Sequence, residues 1–179
     1  MPYPLGHTAI GLTTYELNGK KATPTQRLWV FIFVLVLSNL PDLDMLAGLI
    51  FTGNADAFHR GPSHSLLFAM VMGYAASVIA KRLSAVPPLS FGLCTSLIFS
   101  HVLADALFTD AAVSFFWPFE VNFSTGTSSL GDVFHGIFFQ SLGDLGIVFG
   151  CLLIIGGLRK LRASDIGRRI LRFKWLGDK

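Results

Sequence analysis

Residues 89–108 read LSFGLCTSLIFSHVLADALF. The run has about the ~20 residues that an α-helix needs to cross a ~30 Å hydrocarbon core, and it reads as a membrane-spanning helix. It reaches that length only by including His101 and Asp105, which stand at i and i+4 and so share one helix face. Ionisable groups at such depth are costly, and in membrane proteins they face an interior cavity rather than lipid. The stretch therefore predicts a bundle of several spans around a polar interior.

The rest of the chain agrees. Of its 179 residues, 52% are apolar and only 14% charged, and the mean hydropathy is +0.59. A soluble domain carries about 25% charge. Besides 89–108, long apolar runs cover Leu28 to Phe51 (broken at Pro41), Ser65 to Ala80 and Val133 to Leu158, with a weaker segment from Leu5 to Leu17. The expected fold is an all-α polytopic membrane bundle. It has four long transmembrane helices, an N-terminal partial span and a C-terminal cytoplasmic amphipathic helix in SDIGRRILRFKWL, begun by a Ser164 cap. This divides the chain into a membrane-embedded domain, 1–158, and a basic cytoplasmic tail, 159–179. The N-terminal MPYPLGHTAIGL lacks the basic region and cleavage site of a signal peptide. Cys94 and Cys151 lie inside apolar runs without metal-site spacing.

The net charge of +3 does not indicate nucleic acid, because the basic residues flank the apolar runs. An up-down arrangement puts every Lys and Arg except Arg60 on one side. The positive-inside tendency makes that side, and the C-terminus, cytoplasmic. At 1.5 Å per residue, His7, Asp42, Asp44, His64, His101 and Asp105 all fall about 20–35 Å from the cytoplasmic charges. Polar groups from separate segments thus converge in the outer half of the bilayer, toward the non-cytoplasmic face.

Their chemistry is that of a metal site. His101 and Asp105 form a two-ligand helical clamp. NLPDLD (39–44) places Asp42 and Asp44 at a proline break, where freed backbone groups need a protein or water-filled cavity. HRGPSHS (59–65) adds His59, Arg60 and His64, with Ser63 read as a helix N-cap. Imidazole and carboxylate ligands suit zinc, manganese or iron better than magnesium. One or two ions are compatible with seven candidates, or some carboxylates orient the histidines instead. Arg60 would suit an oxyanion. Asp42 or Asp44 could act as base, and Arg60 with the helix start at Ser63 could hold developing negative charge. Asp144, inside the last span at the same level, reads as a helix–helix hydrogen bond beside Gly143, Gly146 and Gly150, or as a supporting or basic group. His135 reads as an interfacial helix-start residue, and Asp110, Glu120 and Asp132 as solvated. Phe115, Phe116, Trp117, Phe119 and Phe123 form an aromatic belt in the outer loop 109–132, or a lid over a lipid substrate.

GHTAIG, LPDLD, HRGPSHSLLF, SHVLADAL and the following FFWPF, in that order over about residues 5 to 120, resemble the YdjM-type family of LexA-regulated inner-membrane metal-dependent hydrolases. The resemblance implies His7, Asp42, Asp44, His59, His64, His101 and Asp105 as signature positions. It also implies a distant similarity to zinc-dependent phospholipases C, although their His-x-x-x-His-x-x-x-Glu run is missing here. The expected function is hydrolysis of a lipid or lipid-linked phosphoester by metal-activated water. A ceramidase-like lipid amide hydrolase and a non-catalytic metal-binding membrane protein are the alternatives. A transporter is disfavoured, because Leu28 to Leu37 and Leu66 to Ala80 carry no ionisable group to line an inner exit.

Overall fold

The structure is a computed structural model that describes residues 4–18, 21–108, 112–119 and 144–164. The described residues are helical, with no strand. The helices are α1 (Pro4–Asn18), α2 (Arg27–Ser38), α3 (Leu43–Thr52), α4 (Leu66–Arg82), α5 (Phe91–Phe108) and α6 (Leu145–Ala163), joined in part by single 3₁₀ turns.

α5 is the central post, packed by α1, α2 and α4. Its buried face carries Leu93, Cys94, Leu97, Ile98, His101, Val102 and Asp105. Small residues let α4 lie close along it: Ala69, Gly73, Ala76, Ser77 and Ala80 are the buried positions of that helix. A Cβ on Gly73 would fall 2.7 Å from the backbone nitrogen of Thr95, so any side chain there would force the two helices apart. Such small-residue seams characterise helix pairs that cannot rely on the hydrophobic effect to associate.

The outside is correspondingly apolar. Trp29, Phe31, Ile32 and Val36 of α2, Leu46, Leu49, Ile50 and Phe51 of α3, and Phe149, Leu152, Leu153 and Ile154 of α6 are all exposed. The interior holds His7, Thr8, Ser38, His64, His101 and Asp105. An apolar exterior around an apolar core that also encloses buried His and Asp side chains suits a lipid environment.

By length and composition, α5 is long and apolar enough to cross a membrane alone. The segments Pro24–Ser38 and Leu43–Thr52 pass together, bent by 54° at the break. That bend is the break expected at Pro41. α4 has 17 residues, and α6 carries Arg159, Lys160 and Arg162 toward its end, so neither passes by itself. The four-span arrangement thus narrows to one or two clear spans among the described residues. α6 runs through 158 to Ala163, and Ser164 closes it as C-cap. The start of the expected basic tail is therefore part of the last helix. The tail from 165 onward, residues 133–143 of the expected last span, His135, Asp110, Glu120, Asp132, Phe123 and Gly143 lie outside the described residues.

Candidate metal centre

The break at Pro41 begins the site. With no α-helical continuation past Ser38, carbonyls at the end of α2 are left to other donors. The Leu35 carbonyl accepts from Asn39 Nδ2 at 2.8 Å, and the same amide reaches Thr8 Oγ at 2.9 Å. The Ser38 carbonyl accepts from His101 Nδ1 at 2.8 Å, wholly inside the protein. That bond fixes the imidazole tautomer and leaves Nε2 as the outward lone pair. Gly11 permits the approach of α1 here, since a Cβ on it would fall 2.7 Å from Ser38 Cβ.

Asp42 sits at the N-cap position of α3, but its carboxylate makes no cap bond. Instead Oδ1 lies 3.2 Å from His101 Nε2 and 3.6 Å from His64 Nε2. Asp44, in the first turn, diverges from it. Its Oδ1 lies 3.1 Å from His59 Nδ1, and its Oδ2 lies 3.2 Å from His64 Nδ1 and accepts from the Ser63 hydroxyl and, at 3.3 Å, from the Arg60 backbone. Asp44 thus grips the rear nitrogens of two histidines and turns their Nε2 atoms inward.

Asp105 is the hub. Its Oδ1 is 3.4 Å from His7 Nε2. Its Oδ2 is 3.4 Å from His64 Nε2, 3.7 Å from Arg60 Nε and 3.9 Å from His101 Nε2. The rings of His7 and His101 stack with centroids 3.7 Å apart. Two groups have ligand atoms mutually within 4.8 Å, namely Asp42, His59, His64 and Asp105, and His7, His101 and Asp105. They share Asp105.

His7, His64, His101 and Asp105 are 0% exposed. Buried polar atoms are nearly always hydrogen-bonded, yet His7 Nε2, His59 Nε2, His64 Nε2, His101 Nε2 and Asp42 Oδ1 have no hydrogen-bond partner among the described residues. Five inward lone-pair atoms without donors are what a cation requires. The charge balance asks the same, since three carboxylates face one guanidinium and buried charge is tolerated only when paired. His64, which precedes α4, reflects this. Burial pushes its pKa down, but the carboxylates of Asp105, Asp42 and Asp44 outweigh burial and lift it to about 10. A proton is one way to supply positive charge there, and a divalent ion is another. The residues present fit a metal.

All seven histidines and aspartates named from the sequence meet in this cluster, but their roles differ. Asp44 lies outside both ligand groups and holds His59 and His64 from behind. Ser63 is not the N-cap of α4. That position belongs to Ser65, whose side chain accepts from the Phe68 backbone at 3.1 Å. Ser63 sits in the 3₁₀ turn Pro62–His64 and serves Asp44. Arg60 adopts φ +65°, a left-handed conformation rare outside glycine, and its guanidinium reaches Asp105. Asp144 does not join the cluster. Its Oδ2 accepts from the Gly6 backbone at 2.6 Å, tying α6 to the start of α1 one residue before His7. The sequence did not reveal the Ser38 carbonyl, because a backbone acceptor has no residue signature, nor the Asn39–Thr8 side-chain bond, whose partners are 31 residues apart. After α5, Phe115 packs on Phe99 and its carbonyl accepts from the Leu66 backbone, whereas Phe116, Trp117 and Phe119 are exposed.

The class these features define is a helical protein with an apolar exterior and a buried His/Asp cluster that could hold a metal ion. The chain belongs to the YdjM inner membrane protein family, which matches residues 1–165 and so covers every residue of the cluster. Among its relatives, inner membrane protein YbcI of Escherichia coli (strain K12) is 31% identical over 121 residues, spanning 66% of this chain and 68% of that protein. No solved structure matches.

Proposed function

We propose that this protein is a membrane-embedded metal-dependent hydrolase that cleaves a lipid or lipid-linked phosphoester in the outer half of the membrane. The observation that carries the reading is the pair of ligand groups joined at Asp105, with inward nitrogens that have no donor. Asp42, His59, His64 and Asp105 would hold one ion, and His7, His101 and Asp105 a second. Zinc suits this mixed imidazole and carboxylate set, and manganese or iron would also fit. When bound, the metal supplies Lewis acidity toward an ester oxygen and lowers the pKa of water toward about 7.

The chain's own groups do the rest. Asp42 and Arg60 are the most exposed side chains of the cluster, at 16% and 15%, and mark its mouth. Asp42, through a carboxylate oxygen not engaged by an ion, can take a proton from a water molecule there. Arg60 can meet a phosphoryl oxygen with its planar fork, which favours a phosphoester over the amide of a ceramidase-like enzyme. Four spans with the C-terminus in the cytoplasm are part of the proposal. In support, Arg27 and Lys81 with Arg82 stand at the ends of α2 and α4 opposite Asp42 and His64.

The test is incubation of purified protein with defined phospholipids and ceramides in mixed micelles, with and without chelator. Release of a phosphorylated headgroup, abolished by chelation and restored by zinc, is the expected result. Cleavage of ceramide alone would transfer the reading to amide hydrolysis. No cleavage of any lipid by metal-loaded protein would refute it.

A further inference from the structure

At the end of the bundle opposite the metal centre, a cleft of about 740 Å³ opens between α1, α6 and the start of α2. Its rim carries Lys21, Arg27, Arg159 and Arg162 against a single acid, Glu16. Glu16 is already engaged: its carboxylate lies 3.2 Å from Arg159 and 3.1 Å from Arg162. An excess of positive charge therefore remains at the rim. Tyr15 lines the same cleft. It is 7% exposed, and its buried hydroxyl has no partner among the described residues. A phenol buried without a partner beside a basic rim is a donor that an anion's oxygen acceptor would satisfy.

The floor decides which kind of anion. Leu12, Phe31, Leu152 and Ile155 line the cleft and continue as walls of a second, almost wholly apolar groove of about 410 Å³ along α1, α2 and α6. A free phosphate has no use for such a groove, whereas an acyl chain does. The chain's own C-terminal segment is a poor occupant, because residues 165–179 carry five basic residues against two acids. Tyr15 lies eight residues beyond His7 on α1, about 12 Å along the helix axis, so the cleft is separate from the cluster.

We propose that this cleft is a binding site for an anionic membrane phospholipid. The phosphate is held by Lys21, Arg27 and the Tyr15 hydroxyl, and an acyl chain lies in the apolar groove. Basic pockets between membrane helices bind acidic headgroups in this way.

The experiment is native mass spectrometry and fluorescent-lipid competition on the full chain in neutral detergent, with phosphatidylglycerol, phosphatidylcholine, inorganic phosphate and glycerol phosphate as probes. Phosphatidylglycerol should bind roughly tenfold or more tightly than phosphatidylcholine. The K21Q/R27Q double variant should remove that preference. Tyr15→Phe should weaken binding by roughly tenfold, the loss of one hydrogen bond to a charged group. Circular dichroism and a single size-exclusion peak confirm that each variant folds, and Tyr15→Phe preserves the packing if the double variant does not. Equal binding of the two lipids, variants that bind like wild type, or inorganic phosphate competing as well as the lipid would each overturn the proposal.

Discussion

Replacing Asp105 by asparagine is expected to lower divalent-metal affinity by more than about 100-fold, beyond the 10–100-fold typical of outer partners, and to abolish hydrolysis with it. Asp105 is the member common to both ligand groups. Each of its oxygens faces a different histidine, His7 from one side and His64 from the other, at 3.4 Å. Asparagine keeps the shape but offers one neutral oxygen and an amide N–H₂ that repels a cation. Asp42, the other carboxylate of the ligand groups, reaches His64 and His101 but not His7, so it cannot replace the bridge. Competition with a chromophoric chelator measures the affinity, and size exclusion checks that the variant folds. Wild-type affinity in the variant would show that Asp105 is only a buried partner of His7 and His64.

Asp44→Ala is expected to behave differently. It should weaken metal binding by about 10–100-fold, the usual cost of losing a group behind a ligand, and leave measurable activity at saturating metal. The reason is positional. Asp44 contacts the Nδ1 edges of His59 and His64, the Ser63 hydroxyl and the Arg60 backbone. Removing it frees two rings to rotate and releases the left-handed Arg60 turn, while no inward ligand atom is deleted. Titration of zinc against activity separates the outcomes. A full loss equal to that of the Asp105 variant would make Asp44 a direct ligand, as the sequence spacing allowed. No change would show that the histidines are held by packing alone.

The contrast between Asp42 and Asp44 shows how far the sequence could be read. NLPDLD announces two carboxylates at a break, and i, i+2 spacing on a helix predicts that they diverge. Which one turns inward depends on where α3 starts, and that is set by the turn after Pro41. The serines of HRGPSHS pose the same problem. Both Ser63 and Ser65 can cap a helix, and the 3₁₀ turn Pro62–His64 gives the role to Ser65. His101 and Asp105 were the most legible pair, because i, i+4 spacing inside an apolar run fixes a shared buried face without reference to the rest of the fold. Asp144 was the least legible. Its partner, the Gly6 backbone, is 138 residues away, and no local pattern encodes that. The spans were legible where one helix is long and uniformly apolar, as in α5. They were less so in α4 and α6, where 17 residues or a cluster of terminal arginines leave length and composition short of a crossing.

Every functional statement depends on the buried imidazoles and carboxylates gripping a cation. Metal content of the full chain, purified from native membranes without chelators and measured by inductively coupled plasma mass spectrometry, tests that directly. The account predicts between one and two divalent ions per chain, lost on replacement of Asp105. Fewer than about one-tenth of an ion per chain, with no uptake when zinc, manganese or iron is supplied in excess, would contradict it.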